Sequence, residues 1–297
     1  FLSKIDFLTF IFAKPSIFLI IIYLVLIYFL FDKKKKSLLI ILILLHYNIN
    51  IIKRDSYVFS FDVGEGDSFV IKDNNKTVLI DTGGSTKYSY YKDIITYLKS
   101  DGIKKMDYLI LSHGDFDHMG ESINIVNNFK VEKVIFNCGP YNDLEQELVK
   151  VLDKKKIKYH SCINKLNNLY FLQTKEYDNE NDNSNVIYTE LNGYKFMFMG
   201  DASITVEKEI MSKYNLPDID VLKVGHHGSR TSSSKEFINE INPKHSVISV
   251  GKNNRYGHPN KEVLNNLDKS KIYRTDQDGS IMFKIKNNKL SIKTYST

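Results

Sequence analysis

The chain begins with two stretches that are apolar on every side, at residues 16–31 and 37–52. Each is slightly shorter than the ~20 residues of a membrane-spanning helix, but flanking residues extend both. Four lysines at positions 33–36 separate the stretches and predict a tight loop. A hairpin inside a soluble core would have to bury two helices on all faces, which disfavours that alternative. We therefore interpret residues 1–54 as a transmembrane helical hairpin, the end of a membrane domain.

A different pattern begins at residue 55, where short apolar runs alternate with amphipathic stretches and Gly- or Asn-containing turns. The short runs predict strands, and apolar residues spaced three and four apart predict helices. Two strand-rich halves with helices between them favour an α/β domain over residues 55–297, with two sheets face to face and helices outside. The predicted strands are 57–63, 69–72, 77–81, 107–112, 132–136, 157–160, 169–173, 185–191, 194–199, 219–224, 246–250, 271–274, 280–286 and 290–295, and the predicted helices are 88–100, one beginning at about Ser122, 142–154, 203–214, 234–241 and 261–268.

Four potential metal ligands follow directly after the apolar run at 108–111. They are His113, Asp115, Asp117 and His118. Because alternate residues of an extended segment point to the same side, we expect His113 and Asp115 to face one way. Imidazole and carboxylate groups together suit Zn²⁺ or Mn²⁺, whereas a solvated acidic loop rarely collects them so densely. The sequence therefore predicts a metal site here.

Other candidate ligands follow later predicted strands. Asp201 comes after Gly200 at the end of strand 194–199, where its alternative role is a helix N-cap. His226 and His227 lie between glycines after strand 219–224, and a loop cannot bury two rings for packing alone. His258 precedes Pro259 in a turn, where a histidine is usually just exposed.

The pattern His113-x-Asp115-x-Asp117-His118 resembles the metal-binding box of the metallo-β-lactamase fold. Aspartate at position 115, where that box usually has histidine, resembles the variant of ComEC-type DNA-internalisation proteins. The stretches 62–67, 79–84 and 274–279 are similar to the opening and closing motifs of the family. The resemblance implies a metallo-β-lactamase αββα sandwich over about residues 56–296.

The resemblance also implies roles for individual residues around two divalent ions, Zn²⁺ or Mn²⁺. Asp201 would bridge the ions, and Asp81 would orient a ligand histidine through its free N–H. The histidine of the third family motif is absent, and residues 181–185 fill its place. The implied ligands are His113, Asp115, Asp117, His118, Asp201, His227 and His258. The candidate catalytic residues are Asp117 and whichever of His226 and His227 is not a ligand. Further cleft residues are Asp67, Asn183 and Ser184.

The charge distribution separates the two parts of the chain. Residues 1–54 carry eight Lys or Arg and two Asp, so they account for the whole net charge of +6 and leave the remainder neutral. A neutral domain does not hold nucleic acid by bulk electrostatics, although a local basic patch is compatible with it. Because short cytoplasmic loops collect lysine, the lysines at 33–36 predict that residue 53 onward lies on the outer face of a cell membrane.

Two features concern the ends and the thiols of the chain. Because the chain begins with Phe1 rather than Met, we expect it to be the C-terminal part of a longer protein.

Cys138 and Cys162 show no metal-binding or redox spacing, and we expect two free, partly buried thiols. A bridge between them is the alternative if the domain lies outside the cell.

These features predict a metal-dependent hydrolase. The resemblance implies hydrolysis of a DNA phosphodiester bond beside a membrane channel that takes up single strands. The expected location is a cell membrane crossed several times by the whole protein, and the expected partners are DNA, the membrane, an upstream channel domain and other DNA-uptake components. Two alternatives stay open: another hydrolase on the same fold (a phosphocholine esterase, lactamase or thioesterase), or a non-catalytic domain that guides DNA to the channel.

Overall fold

The first described elements are two helices, α1 (Ile17–Tyr28) and α2 (Lys33–Tyr47), which contact each other. His46 is buried, with Nε2 2.7 Å from the carbonyl oxygen of Ala13 and Nδ1 3.0 Å from the hydroxyl of Tyr23. The backbone N–H of Lys14 donates to the carbonyl of Ser100, which connects this segment to the domain that follows. The computed structural model describes residues 10–29, 33–49, 55–172 and 175–296.

The structure differs from two predictions for residues 1–54. The lysines at 33–36 form the first turn of α2 rather than a loop, because the unbranched lysine side chain favours helix. Within the described ranges no helix is both long enough and apolar enough to cross a membrane, so the predicted transmembrane hairpin is not confirmed. Residues 1–9, 30–32 and 50–54, which belong to the predicted membrane domain, lie outside those ranges.

The first half of the domain forms most of one sheet. Its strands β1 to β3 are antiparallel neighbours, and β3 to β6 are parallel neighbours joined by helices. The strands are β1 (Ser56–Ser60), β2 (Phe69–Asp73), β3 (Lys76–Ile80), β4 (Met106–Ile110), β5 (Val131–Phe136) and β6 (Lys158–Ser161), and the helices are α3 (Tyr91–Ser100), α4 (Phe116–Met119), α5 (Ser122–Asn128) and α6 (Asp143–Lys155).

The second half forms the other sheet and then returns to the first. Strands β10 to β13 are parallel neighbours, and the final hairpin pairs with β1, where Val58 lies opposite Phe283. The strands are β7 (Lys165–Leu166), β8 (Leu169–Phe171), β9 (Ile187–Leu191), β10 (Tyr194–Phe198), β11 (Val221–Lys223), β12 (His245–Ile248), β13 (Lys271–Arg274), β14 (Ser280–Lys286) and β15 (Lys289–Tyr295), and the helices are α7 (Ile204–Lys213), α8 (Lys235–Ile241), α9 (Lys261–Asn266) and α10 (Thr275–Asp278).

Alternation along the strands divides the buried apolar residues into three layers. Leu79 and Leu109 pack on the helices of the first half, while Ile80 and Ile110, next to them in sequence, pack between the two sheets. A third cluster, which includes Leu222 of β11, joins the second sheet to its own helices. Because side chains alternate faces along a strand, each sheet contributes to two layers. The predicted αββα sandwich is therefore confirmed.

The predicted elements occur at nearly the predicted positions, with three additions. The strand predicted at 169–173 ends at Phe171, and residues 173–174 lie outside the described ranges. The two-residue strand β7 and the one-turn helices α4 and α10 were not predicted. Such short elements carry too few periods for an apolar pattern to reveal them.

The two cysteines form a disulfide, so the expectation of free thiols is wrong. Their Cα atoms are 4.4 Å apart. Strands β5 and β6 are parallel neighbours with Phe136 opposite Ser161, and Cys138 and Cys162 follow just beyond that pair. Their proximity therefore follows from the strand register. The structure instead contains the disulfide that the sequence analysis gave as the alternative.

Candidate metal centre

The candidate site lies where parallel strands of both sheets end. Strand β3 leads into Asp81, β4 leads into residues 113–118, β10 leads into Asp201, and β11 leads into His226 and His227. Open α/β sheets bind ligands outside the carboxyl ends of their strands. The fold therefore brings together, from four separate strands, most of the residues that the sequence singled out.

Two buried histidines are held from behind by oxygen atoms. Nδ1 of His118 is 2.9 Å from Oδ2 of Asp81, the contact that the proposed orienting role of Asp81 requires. Nδ1 of His227 is 2.9 Å from the carbonyl oxygen of Ser249. A carbonyl oxygen or an ionised carboxylate only accepts hydrogen bonds, so Nδ1 carries the proton in both rings. In the neutral ring the lone pair is then on Nε2, the usual arrangement of a metal-binding histidine.

The Nε2 atoms of these rings point at carboxylates. Nε2 of His118 is 3.2 Å from Oδ1 of Asp201, and Nε2 of His227 is 3.5 Å from the other oxygen of Asp201. Oδ2 of Asp117 is 3.3 Å from Nε2 of His227. His113 lies beside them, its ring centroid 4.2 Å from that of His118. We call the four most buried of these side chains, His113, His118, Asp201 and His227, the floor of the cleft.

The floor contains a cluster of buried polar atoms without partners. Within the described residues, Nε2 of His113, Nε2 of His118, Nε2 of His227 and Oδ1 of Asp201 make no hydrogen bond. Each such atom costs roughly 1–3 kcal/mol where no charged partner compensates it, so four in one place favour a common ligand. Ligand atoms of His113, His118 and Asp201 lie within 4.8 Å of one another, as do those of Asp117, His118 and His227. This nitrogen and oxygen donor set fits Zn²⁺ or Mn²⁺.

The charges of the floor are mutually dependent. Burial alone would lower the pKa of His118, but Asp201 and Asp81 outweigh it and raise that pKa well above its ordinary value. Burial alone would raise the pKa of Asp201, but His118 and His227 hold it well below its ordinary value. Protonated rings thus balance the buried carboxylates. Because a metal ion binds only the deprotonated ring nitrogens, it must displace these protons.

Lys223 is a site residue that the sequence analysis missed. It ends β11, and its ammonium pairs with Asp67, donates to the carbonyl of Gly200 at 2.7 Å and lies 3.6 Å from Oδ1 of Asp201. The side chains of Lys223 and Asp67 are each 2% exposed. The sequence contained a signal for it: Lys223 lies at the end of an apolar run that reads as a buried parallel strand, and a lysine there requires a buried counter-charge.

The paired histidines adopt an unusual backbone that separates their roles. His226 has φ 47° and His227 has φ 52°, both in the left-handed region that non-glycine residues rarely occupy. This turn sends His227 into the floor and leaves 25% of the His226 side chain exposed, with Nε2 3.7 Å from Oδ2 of Asp201. Burial lowers the pKa of His226 despite Asp201. His227 is therefore better placed as a ligand than His226.

A less buried group surrounds the opening of the cleft. Nδ1 of His258 is 3.7 Å from Oε1 of Glu65, and its ring centroid is 5.8 Å from that of His226. Tyr256 stacks on His258. We call Glu65, Arg255, Tyr256 and His258 the rim; the sequence analysis missed its first three members. The cleft has a volume of about 170 Å³ and is lined by Glu65, Asp115, Asp117, Asn181, Asp201, His226, His227, Tyr256 and His258.

Three other predicted site residues have distinct positions. The Asp115 side chain is 48% exposed, with Oδ2 3.5 Å from Nε2 of His113. The hydroxyl of Ser184 accepts from the N–H of Asp201 and lies 3.3 Å from Nδ1 of His113, so it contacts two floor residues. Asn183 instead bonds both backbone polar groups of Tyr177, which fixes its own loop. Asn183 is not among the residues that line the cleft.

Residues 61–252 match the Metallo-beta-lactamase superfamily. The chain belongs to this family. Among solved structures, the metallo-beta-lactamase fold protein YhfI from Bacillus subtilis superposes with a TM-score of 0.53 and 11% identity, over 77% of this chain and all of that one. Members of the family typically bind metal ions, in agreement with the donor atoms of the floor.

Three curated relatives are longer proteins. ComE operon protein 3 of Bacillus subtilis (strain 168) is 32% identical over 80% of this chain and 34% of its own length. Competence protein ComA of Neisseria gonorrhoeae is 31% identical over 78% of this chain and 32% of its own length. Recombination protein 2 of Haemophilus influenzae is 29% identical over 81% of this chain and 30% of its own length. The chain thus spans about a third of each relative.

Proposed function

We propose that this chain is a metal-dependent phosphodiesterase that hydrolyses DNA. The observation that carries the proposal is the convergence of partnerless histidine Nε2 and aspartate oxygen atoms on the floor of an open cleft. Carboxylates make up much of the donor set, which favours harder ions and oxygen-rich substrates such as phosphodiesters. The names of two relatives, a competence protein and a recombination protein, support DNA as the substrate.

The ligands proposed from the sequence would hold two divalent ions. Bound there, Zn²⁺ or Mn²⁺ would polarise a phosphoryl oxygen and activate water for in-line displacement. Behind them, Asp81 and Ser249 fix the rings of His118 and His227, so that both Nε2 atoms face Asp201, which lines the cleft. The proposed ligands are His113, Asp115, Asp117, His118, Asp201, His227 and His258.

Two side chains on the open side of the cleft would handle protons. The side chain of Asp117 is 35% exposed; burial alone would raise its pKa, but His227 and His118 outweigh burial and lower it, so Asp117 is ionised and able to orient a water by accepting a hydrogen bond from it. His226 is partly exposed beside Asp201 and is placed to donate to the leaving oxygen. Asp117 and His226 are therefore the catalytic residues that we propose.

The proposal includes a location on the outer face of a cell membrane, next to an upstream channel domain. A disulfide between Cys138 and Cys162 is typical of proteins in oxidising compartments. Helix α1 has no buried residue and exposes large apolar side chains, including 75% of Phe18 and 61% of Leu24. An exposed apolar patch of this kind marks an interaction surface, which a membrane or membrane domain would cover.

The direct test is cleavage of DNA by the 297-residue chain in Mn²⁺ or Zn²⁺ against EDTA. We expect cutting only with metal, and a loss of about 100-fold or more in Asp117→Ala, since Asp117 is both a proposed ligand and the residue proposed to orient the attacking water. Asp218→Ala, a change of the same type at an exposed position outside the cleft, should cut normally.

Each other outcome points to a defined alternative. Equal cutting by the native chain and Asp117→Ala would remove the proposal. Hydrolysis of small choline phosphodiesters without hydrolysis of DNA would indicate a phosphocholine esterase. Retention of DNA without cleavage, unchanged by Asp117→Ala, would indicate a domain that guides DNA.

A further inference from the structure

The loop after β12 is fixed at several points. The N–H of Gly251 donates to Oε2 of Glu65, and the N–H of Asn260 donates to the carbonyl of Gly228. Between these ends, the Asn254 side chain accepts from the N–H of His258 at 2.8 Å and donates to its carbonyl at 2.7 Å. This pair of bonds closes the loop across its neck. The tip, Arg255 to Gly257, is therefore held out over the cleft by a defined base.

The tip presents an aromatic ring and a cation together. Tyr256 is 58% exposed, an unusual degree for a large aromatic residue held by a fixed loop. Its ring lies 5.6 Å from that of His258 with an interplanar angle of 23°, so the two rings are stacked. The guanidinium of Arg255 donates to the Tyr256 hydroxyl at 2.6 Å and lies 4.9 Å from the centre of the ring. Both side chains are thus ordered in advance of any ligand.

The position of this pair relates it to the charges of the cleft. Tyr256 lines the same cleft as four carboxylates: Glu65, Asp115, Asp117 and Asp201. Metal ions would neutralise the carboxylates near the reacting phosphate, but a polymeric substrate carries further phosphates beyond it. A cation at the rim is needed there. An exposed tyrosine with no ligand would be the simpler explanation, but it gives no reason for the ring to be held stacked beside a guanidinium.

We propose that Arg255 and Tyr256 form a subsite for the nucleotide next to the scissile phosphate, a role that rests on the proposed function. The base stacks on Tyr256, and Arg255 contacts the neighbouring phosphate. A base can stack on a protein ring only when it is unpaired. The subsite therefore selects single-stranded DNA, or frayed ends, over the interior of a duplex.

The test is binding of a fluorescent oligothymidylate of about 12 nucleotides, measured by anisotropy in Ca²⁺ and in EDTA. Stacking contributes about 1–3 kcal/mol per base, so Tyr256→Ala should raise the Kd at least about fivefold. Tyr256→Phe, which keeps the ring, should stay within about twofold of the native Kd. For an abasic oligonucleotide of equal length, the native chain and Tyr256→Ala should have the same Kd.

A matched control is available on the second sheet. Tyr170 is 41% exposed and also has a cation over its ring, Lys165 at 4.5 Å, but it lies outside the cleft. Tyr170→Ala should leave binding unchanged. Equal Kd values for the native chain and Tyr256→Ala, an equal effect on the abasic strand, or no binding by the native chain would each overturn the subsite.

Cleavage assays on the same proteins separate the two proposals. DNA cutting by a chain whose binding does not depend on Tyr256 would leave the phosphodiesterase standing and remove the subsite. Binding that depends on Tyr256 without any cutting would remove the phosphodiesterase, and would leave Arg255 and Tyr256 as a binding site for unpaired DNA without a role beside a scissile phosphate.

Discussion

The floor and the rim of the cleft hold their histidines in different ways. On the floor, His118 and His227 are almost fully buried, and each has its Nδ1 2.9 Å from an oxygen behind it. At the rim, His258 is partly exposed, and its nearest carboxylate, on Glu65, is 3.7 Å away, too far for a hydrogen bond. The floor rings are fixed in orientation and tautomer, while the rim ring is placed mainly by stacking.

This difference separates two tasks within one cleft. A cation site needs lone pairs held in fixed directions, which the oxygens behind the floor provide. A site for a polymer needs accessible surface that tolerates variation along the strand, which the rim provides. Changes on the floor should therefore alter metal affinity, and changes at Arg255 or Tyr256 of the rim should alter affinity for the substrate.

The largest effect is expected from Asp201→Asn, which keeps the shape of the floor but removes its central charge. Metal affinity should fall by about 100-fold or more, because Asp201 faces both His118 and His227. Titration of the metal-free protein with Zn²⁺ or Mn²⁺, followed by calorimetry, measures this directly.

Two variants show whether that effect belongs to the floor. Asp220→Asn makes the same change at a buried acid that bonds the N–H of Lys195, outside the cleft. Tyr256→Ala changes the rim. Both should keep native metal affinity; a loss of affinity in Tyr256→Ala equal to that in Asp201→Asn would break the distinction between floor and rim.

An effect on stability rather than on metal affinity is expected from Lys223→Met, which leaves the buried carboxylate of Asp67 without its partner. Removing one member of a buried ion pair costs about 3–5 kcal/mol of unfolding free energy. Urea unfolding of the metal-free chain at pH 7 measures the loss. Asp67→Asn in the same chain should restore part of it.

A surface pair provides the comparison for Lys223. Lys244 bonds Asp220 at 2.7 Å, but its side chain is 68% exposed. Lys244→Met should therefore cost less than about 1 kcal/mol. Equal costs for Lys223→Met and Lys244→Met would mean that burial of the Lys223 pair has no energetic weight.

The smallest effect is expected at Glu145, which lies behind the floor and caps α6. Burial, with Glu180 and Asp115, raises the pKa of Glu145 from 4.5 to about 7. Because the pKa of Glu145 is raised in the folded state, its neutral carboxyl contributes fully to the free energy of unfolding below pH 4.5. That contribution is lost as the pH rises through about 7. Glutamine keeps the capping bond to the N–H of Asn142 and stays neutral.

Thermal unfolding at two pH values tests this prediction. Glu145→Gln should be more stable than the native chain by about 1 kcal/mol at pH 8, with a much smaller difference at pH 5. Glu147→Gln, on the exposed face of α6, should show no such pH dependence. An unchanged difference between pH 5 and pH 8 would contradict the assigned ionisation of Glu145.

The parts of the site that lie close in sequence could be predicted from it. Residues 113–118 stand out because one strand delivers four donors in a short loop. Asp201 and the 226–227 pair were found because each follows an apolar run that reads as a buried strand. The rule that parallel strands of one sheet end at the same edge then predicts that Asp201 lies near the 226–227 pair, and the family resemblance implies that residues 113–118 join them.

The missed features depend on contacts between distant segments. The partner of Lys223 is Asp67, from the other sheet, and the neighbour of His258 is Glu65. No local pattern connects these pairs. The orientation of Asn183 away from the cleft likewise depends on a loop whose course no periodicity describes.

The pairing of β1 with β14 has a consequence for synthesis. Strand β1 leaves the ribosome well before its partner, which emerges only with the last hairpin of the domain. Until then one edge of β1 is open, and Val58, which packs with Phe283 between the sheets, has no cover on that side. The newly made domain therefore needs protection against edge-to-edge association until β14 has been synthesised.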